Sequence, residues 1–131
     1  MSEVWKQSEN REIPPAEQNC VRERMDTTLY LVTDSSYHTE ESFLRTVEEA
    51  LRGGVTLLQL REKEKSAREY MELADKVRQI CDRYQVPLLI DDRVDVAAAV
   101  GAAGVHVGQS DIRVAAARKI HGPDKIVGAT A

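Results

Sequence analysis

An α/β fold, with a parallel sheet and helices outside it, is predicted by three observations. Short apolar, β-branched runs start near residues 29, 55–57, 87, 104 and 126. Segments with apolar residues at helical spacing separate them. Every apolar run also ends in polar or charged residues at the same end, where parallel α/β folds place their chemistry. Strict alternation of strand and helix requires crossover connections, and hence parallel strands.

Each element has its own signals. Leu29–Thr33 is a β-branched run that stops at Asp34. Thr39 can cap a helix whose apolar positions are Phe43, Leu44, Val47, Ala50 and Leu51, ended by Gly53-Gly54. Val55–Leu60 is the second strand. Ser66 with Glu69 forms a capping box, and the helix behind it buries Tyr70, Leu73, Ala74, Val77, Ile80, Cys81 and Tyr84, with Met71 also expected in the core. Pro87–Ile90 is the third strand, Val94–Ala102 a short Ala-rich helix, and Gly104–Val107 the fourth strand. A fourth helix over about 112–120 ends at His121-Gly122-Pro123, and residues 126–131 form a fifth strand. Residues 1–26 are polar, carry Pro14-Pro15 and lack any period, so they are expected to be a flexible extension. Periodicity alone allows either an open five-stranded sheet or part of a (β/α)8 barrel. Strand starts lie about 24 residues apart, so eight units would need about 190 residues, whereas 103 remain from residue 29.

Composition narrows the function. The 131 residues carry 18 Lys+Arg against 22 Asp+Glu, a formal charge of −4, which argues against a basic nucleic-acid-binding face. No apolar stretch reaches the roughly 20 residues of a membrane span. Two cysteines, Cys20 and Cys81, do not make a secreted disulfide scaffold, and the first residues lack the apolar core of a secretion signal. A cytoplasmic protein is expected.

The strand ends carry the candidate chemistry. Gln59, Arg61 and Lys63 alternate along one strand and so share a face. If Leu58 and Leu60 pack on helices, these three point inward, where two cations and an amide suit a diphosphate. The competing reading is a surface ion-pair ladder with Glu62 and Glu64. Asp91 and Asp92 follow an apolar strand, and adjacent carboxylates need a nearby positive charge. Mg²⁺ fits where phosphate is also bound, and Asp111 could supply a further carboxylate. The competing reading for each Asp is a helix cap. His106, flanked by valines, is expected to be a packed structural residue. No G-x-G-x-x-G or Walker-type loop is present.

Four segments together resemble the thiamine-phosphate synthase family: Leu29–Asp34, Leu58–Lys63 (Leu-Gln-Leu-Arg-Glu-Lys), Leu89–Val96 and Gly104–Asp111 (Gly-Val-His-Val-Gly-Gln-Ser-Asp), with Ile126–Thr130 also in place. The resemblance spans about residues 27–131. It implies the N-terminal part of a TIM barrel, about half a barrel of four βα units and a fifth strand. The activity it implies is condensation of hydroxymethylpyrimidine diphosphate with thiazole phosphate, yielding thiamine phosphate and pyrophosphate. Gln59, Leu60, Arg61, Glu62, Lys63, Asp91 and Thr130 would then bind the pyrimidine diphosphate. Arg61 and Lys63 would act on the leaving group, and Asp92 and Asp111 would hold Mg²⁺. The related thiazole tautomerase lacks the Mg²⁺ carboxylates and the Gly-Gln-x-Asp run. Asp91 departs from the Asn common in the family, and its added charge would either weaken substrate binding or be tolerated through Mg²⁺ or Arg93. The family's Thr-x-Thr-Lys segment and late Gly-rich phosphate loops have no counterpart among the 131 residues. Self-association or a completing chain is therefore expected, and the alternative is a non-catalytic half barrel that binds diphosphate.

Overall fold

The computed structural model describes residues 21, 22 and 25–130. The expected extension over residues 1–26 thus lies mostly outside the described residues. Five strands, β1 (Tyr30–Asp34), β2 (Leu57–Arg61), β3 (Leu88–Asp91), β4 (Gly104–Val107) and β5 (Ile126–Ala129), alternate with four helices. These are α1 (Glu40–Arg52), α2 (Ala67–Arg83), α3 (Val94–Val100) and α4 (Val114–His121). The strands are all parallel and lie in sequence order β1-β2-β3-β4-β5. A sheet in sequence order with every crossover alike is the arrangement of a barrel segment, since a doubly wound sheet reverses its order part-way.

Local chemistry sets the helix starts. Thr39 accepts from the Ser42 N–H at the start of α1. Ser66 and Glu69 complete a reciprocal capping box on α2. Gly101 ends α3 at φ 69°, in the left-handed region that favours glycine. At Gly104 a Cβ would lie 2.0 Å from the Ile126 carbonyl oxygen, so only glycine lets β5 pair this closely with β4.

The main core lies between sheet and helices. Leu58, Leu60, Leu88, Ile90, Val105 and Val107 meet Val47, Leu51, Tyr70, Ala74, Val77 and Ala97 there. Met71 corrects the sequence reading: it is 39% exposed on α2, while its neighbour Tyr70 fills the core. A strict helical stripe admits positions 70, 73, 74 and 77 but turns 71 outward.

The opposite face of the sheet is the inner one. Its lower part holds a second, smaller cluster of Leu57, Leu89 and Ile126, with Val21 packed against it. Arg22 anchors that segment. Its backbone N–H donates to the Asp124 carbonyl at 3.2 Å and its guanidinium to the Pro123 carbonyl at 2.9 Å. Strands β1 and β5 each pair on one side only among the described residues, and Val32, on the inner face of β1, is 48% exposed.

Candidate functional site

The period-two alternation places the polar residues as the spacing requires. Leu58 and Leu60 enter the helix-side core, so Gln59 and Arg61 project from the inner face. In register, Val32 lies beside Gln59 and Asp34 beside Arg61. Asp91 and His106 are likewise register partners on β3 and β4.

At the carboxyl ends of β2 and β3 these side chains meet. Lys63 Nζ donates to Asp91 Oδ2 at 2.9 Å, and Arg61 Nε lies 3.9 Å from the same oxygen. Asp91 is 7% exposed, whereas Arg61 and Lys63 are half exposed. The two cations therefore converge on one carboxylate while keeping donors free for an incoming anion. The surface ladder is not what forms: Glu62 instead accepts from the Ser35 hydroxyl. A cleft of about 590 Å³ opens beside them, lined by Val32, Asp34, Ser35, Arg61, Glu62 and Lys63. Ser36 donates to the Asp34 carboxylate through its hydroxyl and its N–H, which holds that carboxyl below its ordinary range.

The charge of Asp91 is met by Lys63 and Arg61. Arg93, one of the groups that could have offset that charge, is engaged elsewhere, in a two-pronged pair with Asp95 at 2.7 and 3.0 Å. Asp92 turns toward Asp111, and their carboxyls share a hydrogen bond. That bond, with burial and the Asp111 charge, raises Asp92 to about 6, while Asp111 is lowered. Neither is a helix cap. The residues at those positions are Arg93 and Arg113, and no side chain caps either helix. Asp111 Oδ2 accepts from the Gly108 N–H at 2.7 Å, which folds the loop after β4 back on itself.

Two neighbouring carboxyls, one of them raised to about 6, are a fitting donor pair for Mg²⁺, which takes one or two carboxylates and fills its remaining positions with phosphate and water. Among the described residues no group of three or more His, Cys, Asp or Glu surrounds a common point, so the protein alone does not complete a metal shell.

The remaining expected residues fall as follows. Gln59 is buried and donates from Nε2 to the Tyr30 hydroxyl at 2.7 Å. Leu60 turns its side chain into the helix-side core, so only its backbone faces the strand ends. Thr130, just past β5, lies 3.1 Å from His106 Nε2 through its hydroxyl. His106 is half-buried on the inner face, with Gly128 against its ring, Thr130 at its Nε2 and, among the described residues, no hydrogen-bond partner at its buried Nδ1. Tyr30 was missed by sequence reasoning, although it shares the inward parity of Val32 and Asp34.

The geometry can now be set beside known proteins. The thiamine monophosphate synthase family profile matches residues 29–131. The chain belongs to that family. A thiamine-phosphate synthase of Campylobacter jejuni is 49% identical over 108 residues, 82% of this chain and 51% of the relative. Thiamine-phosphate synthase 2 of Streptococcus pneumoniae is 54% identical over 103 residues, 79% of this chain and 49% of the relative. A solved thiamine phosphate pyrophosphorylase from Pyrococcus furiosus superposes with a TM-score of 0.71 at 40% identity, covering 79% of this chain and 49% of that one. The chain thus spans about half the length of the relatives it matches, and its fold is half of a TIM-barrel type. All four segments that carry the resemblance lie inside the matched region.

Proposed function

We propose that the chain forms the diphosphate and metal half of a thiamine-phosphate synthase, a transferase joining hydroxymethylpyrimidine diphosphate to thiazole phosphate with release of pyrophosphate. The observation that carries this reading is the convergence of Arg61, Lys63, Asp91, Asp92 and Asp111 at one end of a parallel sheet. Asp92 and Asp111 would hold Mg²⁺, which when bound neutralises charge on the diphosphate. Arg61 and Lys63 would bind the same leaving group, where negative charge grows as the carbon–oxygen bond breaks and the pyrimidine methylene becomes cationic. Preorganised donors are most effective at such a developing charge. No general base is required by this chemistry.

Gln59, held by Tyr30, and Thr130, held by His106, would orient the pyrimidine, with Glu62 and the Leu60 backbone completing its surroundings. The thiazole nitrogen would attack from the opposite side, in a site to which these residues contribute little. We propose that a second chain or a second copy completes the inner face, supported by the exposed Val32 and the single-sided pairing of β1 and β5. The cytoplasm is the proposed compartment, in keeping with the free, buried Cys81, whose thiol burial pushes up to about 12. Pyrophosphate release by the purified chain, given Mg²⁺ and both substrates, tests the reading. Release that depends on thiazole phosphate supports a complete synthase site. A folded chain that binds the pyrimidine diphosphate without release supports the second reading, a non-catalytic half barrel.

A further inference from the structure

The turn that carries Asp92 is strained. Asp92 has φ 74°, one of two non-glycine residues at positive φ among the described residues. The Arg93 N–H donates to the Asp91 carbonyl at 2.8 Å and closes a three-residue turn around it. A positive central φ in such a turn marks its rarer, costlier form. Strain of this kind persists only where the surroundings over-determine the backbone.

The surroundings do so at a single peptide unit, the one joining Asp91 to Asp92. Its N–H donates to the His106 carbonyl at 2.7 Å. Its carbonyl faces the Tyr70 hydroxyl at 3.0 Å, and that hydroxyl also lies 2.7 Å from the Leu60 carbonyl. The β2–β3 ladder ends at the Leu60–Ile90 pair, so Tyr70 links the two strands just where backbone pairing stops. Tyr70 is 1% exposed and sits in the first turn of α2, where the Ser66–Glu69 capping box fixes the backbone. A buried phenol hydroxyl needs an acceptor, and here its single proton is shared between the carbonyls at the two strand ends.

We propose that Tyr70 is a positioning residue for Asp92: its hydroxyl holds the Asp91–Asp92 peptide plane in the strained orientation that sets the Asp92 carboxylate beside Asp111 and Lys63. It touches no substrate and acts through the backbone. The inference rests on the reading of Asp92 as a metal ligand for its functional consequence, but not for its structural content.

Tyr70→Phe removes the hydroxyl and keeps the ring, and Val77→Ala, elsewhere on α2 in the same core, serves as the control for lost stability. The first readout is amide hydrogen exchange. In the unsubstituted chain the Asp92 amide is expected to be protected, and fast exchange there overturns the proposal without any variant. Tyr70→Phe is expected to speed exchange at Asp92 and Arg93 at least about tenfold beyond Val77→Ala, while the β2 amides of both variants agree. Equal exchange in the two variants overturns the proposal. The second readout is calorimetric binding of inorganic pyrophosphate with Mg²⁺. A rise of about tenfold in the Mg²⁺ needed by Tyr70→Phe alone ties the turn to the metal. Faster Asp92 exchange in a chain whose parent does not bind Mg²⁺ and pyrophosphate upholds Tyr70 as the clamp and overturns the metal reading instead.

Discussion

On its helix-facing side the sheet presents Leu58, Leu60, Leu88, Ile90, Val105 and Val107, each at most 2% exposed. One residue along the same strands, the inner side presents Gln59, Arg61, Asp91 and His106. The outer face is sealed and apolar, and its job is stability. The inner face is apolar lower down, at Leu57, Leu89, Ile126 and Val32, and turns polar toward the carboxyl ends. The difference teaches how a two-residue period separates two tasks within one strand: a substitution on one face should change melting, and on the other binding.

Asp92→Asn should have the largest effect on that separation. Asn tolerates positive φ, so the turn survives while the carboxylate charge goes. Mg²⁺-dependent pyrophosphate binding is expected to weaken by ~100-fold or more with an unchanged circular dichroism spectrum, since Mg²⁺ would keep only one of its two carboxylates. Loss of binding together with loss of fold would break the comparison.

Lys63→Ala comes next. It removes a charge-assisted hydrogen bond worth roughly 1.5–3 kcal/mol, so pyrophosphate affinity by calorimetry should fall about 10–100-fold. Arg61, still 3.9 Å from Asp91, limits the loss.

A pH effect of similar origin is smaller. The folded Asp92 titrates at about 6, above its ordinary 3.8. Its protonated form is favoured in the metal-free fold, so its contribution to stability is present below about pH 4 and lost as pH rises through about 6. Asp111, shifted downward, works in the opposite sense. Below about pH 6 Mg²⁺ would have to displace the Asp92 proton, so its affinity is expected to rise up to about tenfold per pH unit below pH 6 and level off above it. Calorimetry in buffers of different ionisation enthalpy should show about one proton released near pH 5 and less near pH 7.

Ile90→Val, on the outer face, should cost about 0.5–1.5 kcal/mol and lower the melting temperature by a few degrees. Pyrophosphate affinity should stay within twofold of the parent, as measured by the same titration. A larger change would mean that the outer packing controls the site.

Much of this was legible in the residues. Leu58 and Leu60 announced the inward direction of Gln59 and Arg61, and the Ser66–Glu69 box placed the start of α2. The Lys63–Asp91 pair was not legible, because it joins residues on different strands whose register no single segment specifies. Nor was the pairing of Arg93 with Asp95, which leaves Asp91 to Lys63 and Arg61. Tyr70 was read as core and is core. Its hydroxyl acquires meaning only when β2 and β3 bring the Leu60 and Asp91 carbonyls together. Met71 showed the reverse error, a hydrophobic residue assigned to the interior by type although its position on the helix turns it to solvent.

On the proposed reading, this half of the barrel holds a diphosphate and metal site. Titration of the chain with hydroxymethylpyrimidine diphosphate, with Mg²⁺ and then with the metal chelated, tests it most directly. Saturable binding that needs Mg²⁺ and is lost in Asp92→Asn is the predicted result. Absence of binding by the folded chain, or binding indifferent to both the metal and Asp92, would contradict it.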